Sequence, residues 1–343
     1  MNWYLESKET SDVVISTRIR FARNLAKYKF NTNDIQETQK IENEIKEKFY
    51  EIGYGLKFFK LKNMDDITKM SLVEKNIISP EFAVKKNDIG SILINDEENI
   101  CIMINEEDHL RIQVFNSSLV LEETFNLARE IDERMQNIFY IAKNKKYGYL
   151  TVCPTNVGTG LRASVMVHLP ALTKTGNISK ILDNVSKFGM TIRGIYGENS
   201  KATGDMYQIS NKQTLGITEE NIIKNLKIIT EKIIDQERQA RKYLAKTSLE
   251  LEDKLYRSFG ILSNCRKISS NEARELLSDV KLGTDLGIIK ELTDYKVLQL
   301  YLYTKPANLQ KYLGNEYGRL ERDIKRAEVI KEILHQNDGK KEV

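Results

Sequence analysis

Short apolar runs separated by polar turns fill the chain from residue 12 to about residue 215. The runs are DVVIST, SILIN, ICIMIN, RIQVF, YLTVC, ASVMVHL, MTIRGIY and MYQIS. Runs of this length that are rich in β-branched residues are typical of strands. The polar turn NDEEN joins SILIN to ICIMIN, so residues 91–104 are predicted to form a β-hairpin. Because a hairpin pairs its strands antiparallel, an α+β fold with an at least partly antiparallel sheet is favoured over a doubly wound parallel fold.

Apolar residues at helical spacing predict a helix between these strands. The positions are Leu121, Phe125, Ala128, Ile131 and Met135. This spacing puts them on one face of the helix. We interpret that face as core packing against the sheet rather than as a binding site.

A longer helix is predicted to lead out of the sheet. Thr218 is an N-cap candidate, and Glu219 and Glu220 lie in the first turn, where carboxylates are favourable. Apolar residues then recur at spacings of four, three and four. They are Ile222, Leu226, Ile229 and Ile233.

Strand signals nearly vanish from about residue 245 onward. Ser269 and Glu272 form a capping box, and NEYGRLERDIKRAEVIKEIL is a charged helical pattern. We therefore predict two domains, a sheet-based domain at residues 1–240 and a helical domain at residues 241–343.

Composition and charge exclude several classes of protein. The 53 Lys and Arg against 49 Asp and Glu give a net charge of +4, too weak a bias to indicate direct nucleic-acid binding. Cys101, Cys153 and Cys265 form no C-x-x-C pair, so neither a disulfide framework nor a zinc knuckle is indicated. The N-terminus lacks an apolar signal segment, and no run approaches the length of a membrane span. We expect a cytoplasmic protein that does not bind membranes.

Arginines are the most conspicuous candidates for chemistry, because the common phosphate and metal motifs are missing. The sequence has no G-x-x-x-x-G-K-[ST], no H-E-x-x-H and no Rossmann glycine fingerprint. Arginines lie beside strand ends and glycine-bearing turns, at Arg18, Arg20, Arg111, Arg162 and Arg193. The guanidinium fork matches phosphate oxygens and stays charged, so converging arginines would form a clamp for a polyphosphate. The alternative, commoner for any one arginine, is a solvated or salt-bridged side chain.

Two glutamates and a cysteine are candidates for holding a cationic acceptor. Glu107 follows the strand ICIMI and Glu198 follows the turn of RGIYGE, so the two could face each other across a site. A guanidinium acceptor needs carboxylates to orient it and relieve it of a proton, because its pKa is above about 12. In CPTNVGTG, Gly158 and Gly160 permit a tight turn close to a ligand, and Cys153 would add negative charge as a thiolate. The simpler alternatives are solvated turns and a small buried cysteine.

Four motifs together resemble one family. STRIRFARNL, NEEDHLRI, CPTNVGTGLRASVMVHLP and RGIYGE followed by QISNKQTLG are similar, in content and in order, to the ATP:guanidino phosphotransferases, or phosphagen kinases. The match spans about residues 12–216. It implies a catalytic domain with an antiparallel sheet flanked by helices, related in fold to the catalytic domain of glutamine synthetase.

The resemblance implies a site for ATP and an acceptor guanidinium. The residues that match the nucleotide-binding segments are Ser16, Thr17, Arg18, Ile19, Arg20, Arg111, Arg162, Ala163, Ser164, Val165, Met166, Arg193, Gly194, Ile195, Tyr196, Gly197 and Glu198. Glu107 and Glu198 match the acceptor-binding carboxylates, and Cys153 matches the reactive cysteine beside the acceptor. Mg²⁺ is implied on the nucleotide's phosphates, with no metal ligand assigned to the protein. Asn76 departs from the pattern, because relatives usually carry a nucleotide-contacting histidine there.

The C-terminal part narrows the resemblance to one branch. SSNEARELLSDVKLGTDLGII, KPANLQKYLG and RDIKRA resemble the bacterial protein-arginine kinases, which implies phosphorylation of exposed arginine side chains in proteins. It also implies a homodimer through the C-terminal domain and stress-response partners: an activator protein, a transcriptional repressor and a Clp protease. RDIKRA is implied to bind phosphoarginine allosterically, through Arg322, Asp323, Arg326 and Ala327. Such residues on adjacent helical turns more often form surface ion pairs.

The leading hypothesis is a cytoplasmic protein-arginine kinase whose arginines hold Mg-ATP in line with a guanidinium held by Glu107 and Glu198. A free-arginine kinase is the first rival. It is disfavoured because phosphagen kinases carry a helical domain before the STRIR segment, which here begins at Ser16. A non-catalytic phosphoarginine-binding adaptor is the second rival, disfavoured by the retained arginines and glutamates. A DNA-binding module is a third, weaker rival, because the net charge is small and the sequence has no recognisable DNA-recognition motif.

Overall fold

The computed structural model describes residues 2–30, 34–85, 89–194, 203–246 and 249–336. Within them the strands are β1 (Val14–Arg23), β2 (Lys57–Lys60), β3 (Ser91–Ile94), β4 (Ile100–Ile104), β5 (Leu110–Ser117), β6 (Lys143–Asn144), β7 (Gly148–Tyr149), β8 (Leu161–His168), β9 (Met190–Gly194) and β10 (Met206–Asn211). The helices are α1 (Ile35–Lys48), α2 (Asp66–Glu74), α3 (Pro80–Ala83), α4 (Leu121–Ile138), α5 (Pro170–Lys174), α6 (Ile178–Lys187), α7 (Glu219–Lys246), α8 (Leu249–Asn264), α9 (Ser270–Asp285), α10 (Asp294–Tyr303), α11 (Pro306–Leu313) and α12 (Arg319–His335). None of these helices has both the length and the apolar character needed to span a bilayer.

Eight of these strands form one sheet in which every neighbouring pair is antiparallel. Their order across the sheet is β2-β3-β4-β5-β1-β8-β10-β9. β3 and β4 form the predicted hairpin, with Ser91 opposite Ile104. The prediction of an α+β fold with an antiparallel sheet flanked by helices is confirmed. The longest strands, β1, β5 and β8, lie side by side in the middle of the sheet.

The run YLTVC is not a strand of this sheet, so that prediction was wrong. Only Tyr149 is paired, in the two-stranded ladder of β6 and β7. The amide of Val152 donates to the Asp108 carboxylate at 2.7 Å rather than to a neighbouring strand. Pro154, which has no N–H, then begins a short 3-10 helix. The Asp108 side chain has taken the place of a neighbouring strand as hydrogen-bond acceptor. The spacing of apolar residues cannot predict a partner of this kind.

One face of the sheet forms the hydrophobic core of the N-terminal part. Alternate residues of the central strands, among them Ile19, Phe21 and Val165, are fully buried in a cluster with apolar residues of α4 and α7. Both helices match the sequence predictions. At the start of α7 the Thr218 hydroxyl accepts from the amide of Asn221 at 3.3 Å, as expected of an N-cap.

The opposite face is covered unevenly. Over β3, β4 and β5 it is apolar, where Ile92, Met103 and Phe115 pack with Trp3 and with side chains of α2 and α3. In the middle of the sheet this face carries arginine, serine and glutamine side chains instead. The polar part of this face is therefore bordered on one side by a small apolar cluster.

Helices α8 to α12 form a second hydrophobic core, as the loss of strand pattern after residue 245 predicts. Ser269 caps α9, because its hydroxyl accepts from the amide of Glu272 at 3.2 Å. The buried side chains of Arg241 on α7 and Asp285 on α9 pair at 3.0 Å, so α7 also contacts the second core. α7 itself continues past residue 240 to Lys246. The boundary between domains at residues 240 and 241 stays a prediction.

Candidate active site

Strand register brings four of the five predicted arginines together in the middle of the sheet. Arg18 and Arg20 are two residues apart on β1, so both point to the same side. Arg20 lies opposite Arg162 of β8. Arg111 of β5 lies opposite Ala22, which shares the side of Arg20. All four side chains therefore project from one face.

The fifth arginine reaches the same face through two further strand pairs. Arg193 of β9 lies opposite Gln208 of β10, and Gln208 lies opposite Met166 of β8. Met166 is four residues from Arg162 and shares its side of the strand. We call the five side chains the arginine face. Residues from four separate strands are thus aligned by pairing alone.

The predicted nucleotide-binding segments divide between the two faces. Ser16, Ser164 and Met166 share the arginine face. The residues between them point to the opposite side and are buried; they are Thr17, Ile19, Ala163 and Val165. The Thr17 hydroxyl, for example, donates to the Ser118 carbonyl at 2.7 Å. The two-residue period of a strand keeps these four side chains away from the arginine face, and the role of the segments in nucleotide binding stays a prediction.

The arginines of this face repel one another. Burial first, and then the charges of Arg162 and Arg111, lower the pKa of Arg18 to about 10. Burial and three neighbouring arginines hold the pKa of Arg20 well below its ordinary value. Burial likewise lowers the pKa of Arg162, assisted by Arg193 and Arg111. Because arginine stays charged at neutral pH, this arrangement has a free-energy cost that a bound polyanion would offset.

The turn between β4 and β5 places two glutamates beside Arg111. The Arg111 guanidinium pairs with Glu106 Oε2 at 2.8 Å and with Glu107 Oε2 at 3.0 Å. Glu106 also accepts from the Ser79 hydroxyl at 2.7 Å, and its side chain is 10% exposed against 40% for Glu107. We call residues 105–109 the glutamate turn. Glu106 anchors this turn, whereas the Glu107 carboxylate remains partly open to a ligand. Burial raises the pKa of Glu107, although Arg111 acts in the opposite direction.

Asp108 joins the glutamate turn to the segment that carries Cys153. One Asp108 oxygen accepts from the Val152 amide and from the Asn24 side-chain amide, each at 2.7 Å. Its other oxygen is buried without a hydrogen-bond partner among the described residues. Burial and two arginines lower the pKa of Arg162, and Cys153 acts weakly in the opposite direction, as expected of a neighbouring side chain. Cys153 thus lies near both the glutamate turn and the arginines.

The glycines of CPTNVGTG allow close packing within the chain, and the expected approach to a ligand stays a prediction. Gly158 has a φ of 114° and Gly160 a φ of 65°. A Cβ atom on Gly158 would overlap the Thr214 carbonyl, and one on Gly160 would overlap the Ala22 carbonyl. Both glycines are therefore required where two backbone segments meet.

A small cleft lies next to Arg18. Its other lining residues are Trp3, Ser16, Asn76, Phe115, Ser164, Met166 and Gln208. The rings of Trp3 and Phe115 are stacked with centroids 5.2 Å apart. Asn76 has a φ of 62° and is the second residue after the end of α2. The way α2 ends therefore determines where the Asn76 side chain lies relative to Arg18.

Part of the predicted site lies outside the described residues. Strand β9 ends at Gly194, which pairs with Tyr207. The residues that follow, which the sequence assigned to nucleotide or acceptor binding, are Ile195, Tyr196, Gly197 and Glu198. Their roles stay predictions.

Arg23 belongs to the STRIRFARNL motif but has a structural role. Its guanidinium makes two hydrogen bonds to Asp132, at 2.9 and 2.8 Å, and both side chains are buried. It also donates to the carbonyls of Ala22 and Thr159, each at 2.9 Å. The ring of Tyr149 lies 3.5 Å from its central carbon. These partners satisfy the charge of Arg23 within the chain.

The predicted phosphoarginine-binding residues lie on α12. They are Arg322, Asp323, Arg326 and Ala327. Arg326 is buried, donates to the carbonyls of Thr304 at 2.7 Å and Ile268 at 2.8 Å, and pairs with Asp323. Ala327 is buried in the second core. The Arg322 guanidinium makes no hydrogen bond or ion pair with any part of the chain that the structure describes. The phosphoarginine role stays a prediction, in which only Arg322 offers an uncommitted guanidinium.

Sequence reasoning missed the side chains that hold the glutamate turn in place. Ser79 and Asn24 contact the turn from positions 27 and 84 residues away in the chain. Ser79 stands in none of the four motifs, and Asn24 stands in STRIRFARNL without any local signal that it contacts this turn. The sequence assigns no role to Asp108, whereas the structure shows it buried and bridging two segments.

Comparison with protein families gives two matches that together span most of the chain. The family described as ATP:guanido phosphotransferase, C-terminal catalytic domain, matches residues 37–240. The family described as protein-arginine kinase McsB C-terminal domain matches residues 248–343. The first match contains the arginines of β5, β8 and β9 and the glutamate turn.

Individual relatives agree with these families. A protein-arginine kinase of Halothermothrix orenii is 47% identical over 337 residues, covering 97% of this chain and 96% of its own. One from Bacillus licheniformis is 45% identical, covering 99% and 95%. Among solved structures, lombricine kinase is 27% identical with a TM-score of 0.58, covering 68% of each chain. A duplicated taurocyamine kinase from Schistosoma mansoni, 22% identical with a TM-score of 0.61, shares the fold over 78% of this chain and 40% of its own.

Proposed function

This chain belongs to the ATP:guanido phosphotransferase family, in its protein-arginine kinase branch, and we propose that the arginine face and the glutamate turn form its active site. It is a kinase that phosphorylates arginine side chains of proteins, the activity for which relatives at 45–47% identity are named. The observation that carries the assignment of the site is the convergence of five arginines from four strands on one face.

The arginine face binds the phosphates of ATP in this proposal. Its guanidiniums are close enough to lower one another's pKa values, so a polyphosphate is the ligand that their charge fits. The small cleft beside Arg18 borders the arginines, and we place the nucleoside next to it. Magnesium is bound through the nucleotide's phosphates, whose charge it helps to neutralise. The predicted segments around Ser16, Ser164 and Gly194 complete the nucleotide site.

The glutamate turn holds the acceptor guanidinium. Glu107 offers its open carboxylate edge, and Glu198 is proposed as the second carboxylate. In the transfer, a nitrogen of the substrate arginine forms a bond to the γ-phosphorus while the bond to the β–γ bridging oxygen breaks, and ADP leaves. The proton lost from that nitrogen passes to a carboxylate, for which the raised pKa of Glu107 is suited. Cys153, which matches the reactive cysteine of the family, lies beside the acceptor in this proposal.

The wider setting of the kinase is proposed from the resemblance. The chain acts in the cytoplasm as a homodimer through residues 241–343, and its α12 motif binds phosphoarginine allosterically. Its partners are an activator protein, a transcriptional repressor as substrate, and a Clp protease that degrades marked proteins in the stress response. Arg322, exposed enough to meet a ligand and without a partner in the described chain, is the residue that supports the phosphoarginine site.

The test is incubation of the chain with Mg-ATP and an arginine-rich protein, with free arginine assayed alongside. Acid-labile phosphate on protein arginine, located by mass spectrometry, is the expected result. Transfer to free arginine at a similar rate would instead indicate a phosphagen kinase. No transfer to either, with a candidate activator present, would indicate a binding adaptor.

A pair of glutamate variants tests the site itself. Glu107→Gln should lose most of the transfer to protein arginine, because the amide cannot hold or deprotonate a guanidinium. Glu123→Gln, a matched change on the exposed surface of α4, should leave the rate unchanged. Full activity in Glu107→Gln would remove the acceptor assignment while leaving the nucleotide site in place.

A further inference from the structure

A carboxylate of the N-terminal part caps a helix of the C-terminal part. Glu74, the last residue of α2, accepts from the amides of Ala307 and Asn308 at 2.8 Å each and from the Asn308 side-chain amide at 2.9 Å. The first amides of a helix have no partner within it. The local N-cap residue of α11, Lys305, accepts no hydrogen bond from these amides with its side chain. Glu74 therefore supplies, from 233 and 234 residues away, the cap that most helices obtain locally.

Two further contacts strengthen this junction. The Lys305 ammonium donates to the Glu74 carbonyl at 2.6 Å. The Ser71 hydroxyl donates to Asn308 Oδ1 at 2.7 Å, and both of these side chains are buried. The end of α2 is thus joined to the start of α11 through backbone and side chain alike. A negative carboxylate at a helix N-terminus also interacts favourably with the helix dipole.

The residues after Glu74 are held from the sheet side. The Lys75 ammonium pairs with Glu98 at 2.6 Å. The Ile77 carbonyl accepts from the Gln113 side chain on β5 at 2.7 Å. Between them lies Asn76, in a left-handed conformation that depends on where α2 ends. The segment that carries Asn76 is therefore clamped between α11 on one side and the sheet on the other.

We propose that Glu74 is a positioning residue for nucleotide binding, which holds the end of α2, and with it Asn76, against the cleft beside Arg18. The inference rests on the proposed function of the arginine face. It makes the C-terminal helices part of what shapes the nucleotide site, although they contribute no side chain to the cleft as described. Glu74 acts through Asn76 and touches no reacting atom.

The experiment compares two variants that each remove a carboxylate cap connected with α2. Glu74→Ala removes the cap on α11. Asp65→Ala removes the N-cap at the opposite end of α2, where Asp65 accepts from the Thr68 amide at 2.8 Å. Both should lower the melting temperature. Only Glu74→Ala should raise the KM for Mg-ATP, by about fivefold to tenfold, the size of a modest coupling between sites, with the KM for an arginine peptide unchanged.

A second variant keeps the inference testable where Glu74→Ala fails to fold. Asn308→Ala removes the side-chain bonds to Glu74 and Ser71 and leaves the two backbone amides, so it should raise the KM for Mg-ATP by a smaller factor. An unchanged KM for Mg-ATP, equal increases for both substrates, or the same change in Asp65→Ala would each overturn the inference.

Binding of Mg-ADP to the wild-type chain is measured first by calorimetry. No binding there overturns the proposed nucleotide site and this inference together, whereas normal binding with an unaffected Glu74 variant overturns the inference alone.

Discussion

The arginine face and the α12 motif use the same side chain in opposite ways. On the arginine face, Arg18 and Arg162 donate only to serine hydroxyls, at 3.3 Å each, among the described residues. On α12, Arg326 donates to two backbone carbonyls and pairs with a carboxylate. Arg18 and Arg162 therefore hold charge that no carboxylate of the described residues pairs with, whereas the charge of Arg326 is balanced by its surroundings.

The difference teaches that an arginine's role follows from its partners rather than from its motif. Arg20 and Arg23 lie three residues apart in one motif, yet Arg23 is satisfied by Asp132 and two carbonyls while Arg20 faces three other arginines. A buried, fully paired guanidinium stabilises the fold, because removing it leaves its partners unsatisfied. A guanidinium among like charges destabilises the empty protein and is retained where a ligand supplies the missing negative charge.

The sharpest test of this comparison removes charge from the arginine face. Arg20→Gln should lower kcat/KM for Mg-ATP by about a hundredfold to a thousandfold, the usual effect of deleting one preorganised electrostatic contact in an active site. The melting temperature should not fall, because a repulsive charge has been removed. Steady-state kinetics and calorimetric melting measure the two effects. Arg129→Gln, which changes a half-buried arginine of α4, is the control and should change neither. Loss of stability with normal kinetics would place Arg20 with the structural arginines.

The α12 motif should show the reverse pattern. Arg326→Gln should lower the free energy of unfolding by about 3 kcal/mol, since the carbonyls of Thr304 and Ile268 lose a charged donor. Arg322→Gln should change it by less than about 0.5 kcal/mol, as for most surface positions, and should weaken phosphoarginine binding. Urea denaturation and calorimetric titration with phosphoarginine separate the two variants. Equal destabilisation by both, or unchanged binding in Arg322→Gln, would contradict the division of roles within the motif.

The smallest expected effect is on the pH dependence of kcat/KM, which should report the ionisation of Glu107. Burial raises its pKa, and only the ionised carboxylate can hold a guanidinium. As pH falls through that raised pKa, kcat/KM for an arginine peptide should fall, with its acid limb above the ordinary glutamate range near 4.5. The Glu107→Gln variant should lose this limb, whereas Glu123→Gln should keep it. A limb that persists in Glu107→Gln would belong to another group, such as the nucleotide phosphate.

Much of the fold was predictable because it depends on local periodicity. The hairpin at residues 91–104, helix α4 and the caps at Thr218 and Ser269 were each confirmed. The failure at YLTVC has a non-local cause, since the Val152 amide found the Asp108 side chain instead of a strand. Within the candidate site, the motifs named the five arginines that strand register brings to one face, while the roles of those residues stay predictions. They could not separate Arg18 from Thr17, because a contiguous match ignores the alternation of side chains across a sheet.

The sequence by itself determined the antiparallel fold class, the helical C-terminal part and the family, because apolar spacing and contiguous motifs are properties of the chain read in order. Only the tertiary structure decided which arginines are free to meet a ligand, which glutamate of the turn is the anchor, and that Glu74 caps α11. Each of these depends on partners tens to hundreds of residues away, such as Asp132 for Arg23 and Asn308 for Glu74. Hydrogen bonds and charge repulsion act through space, so no pattern along the chain records them.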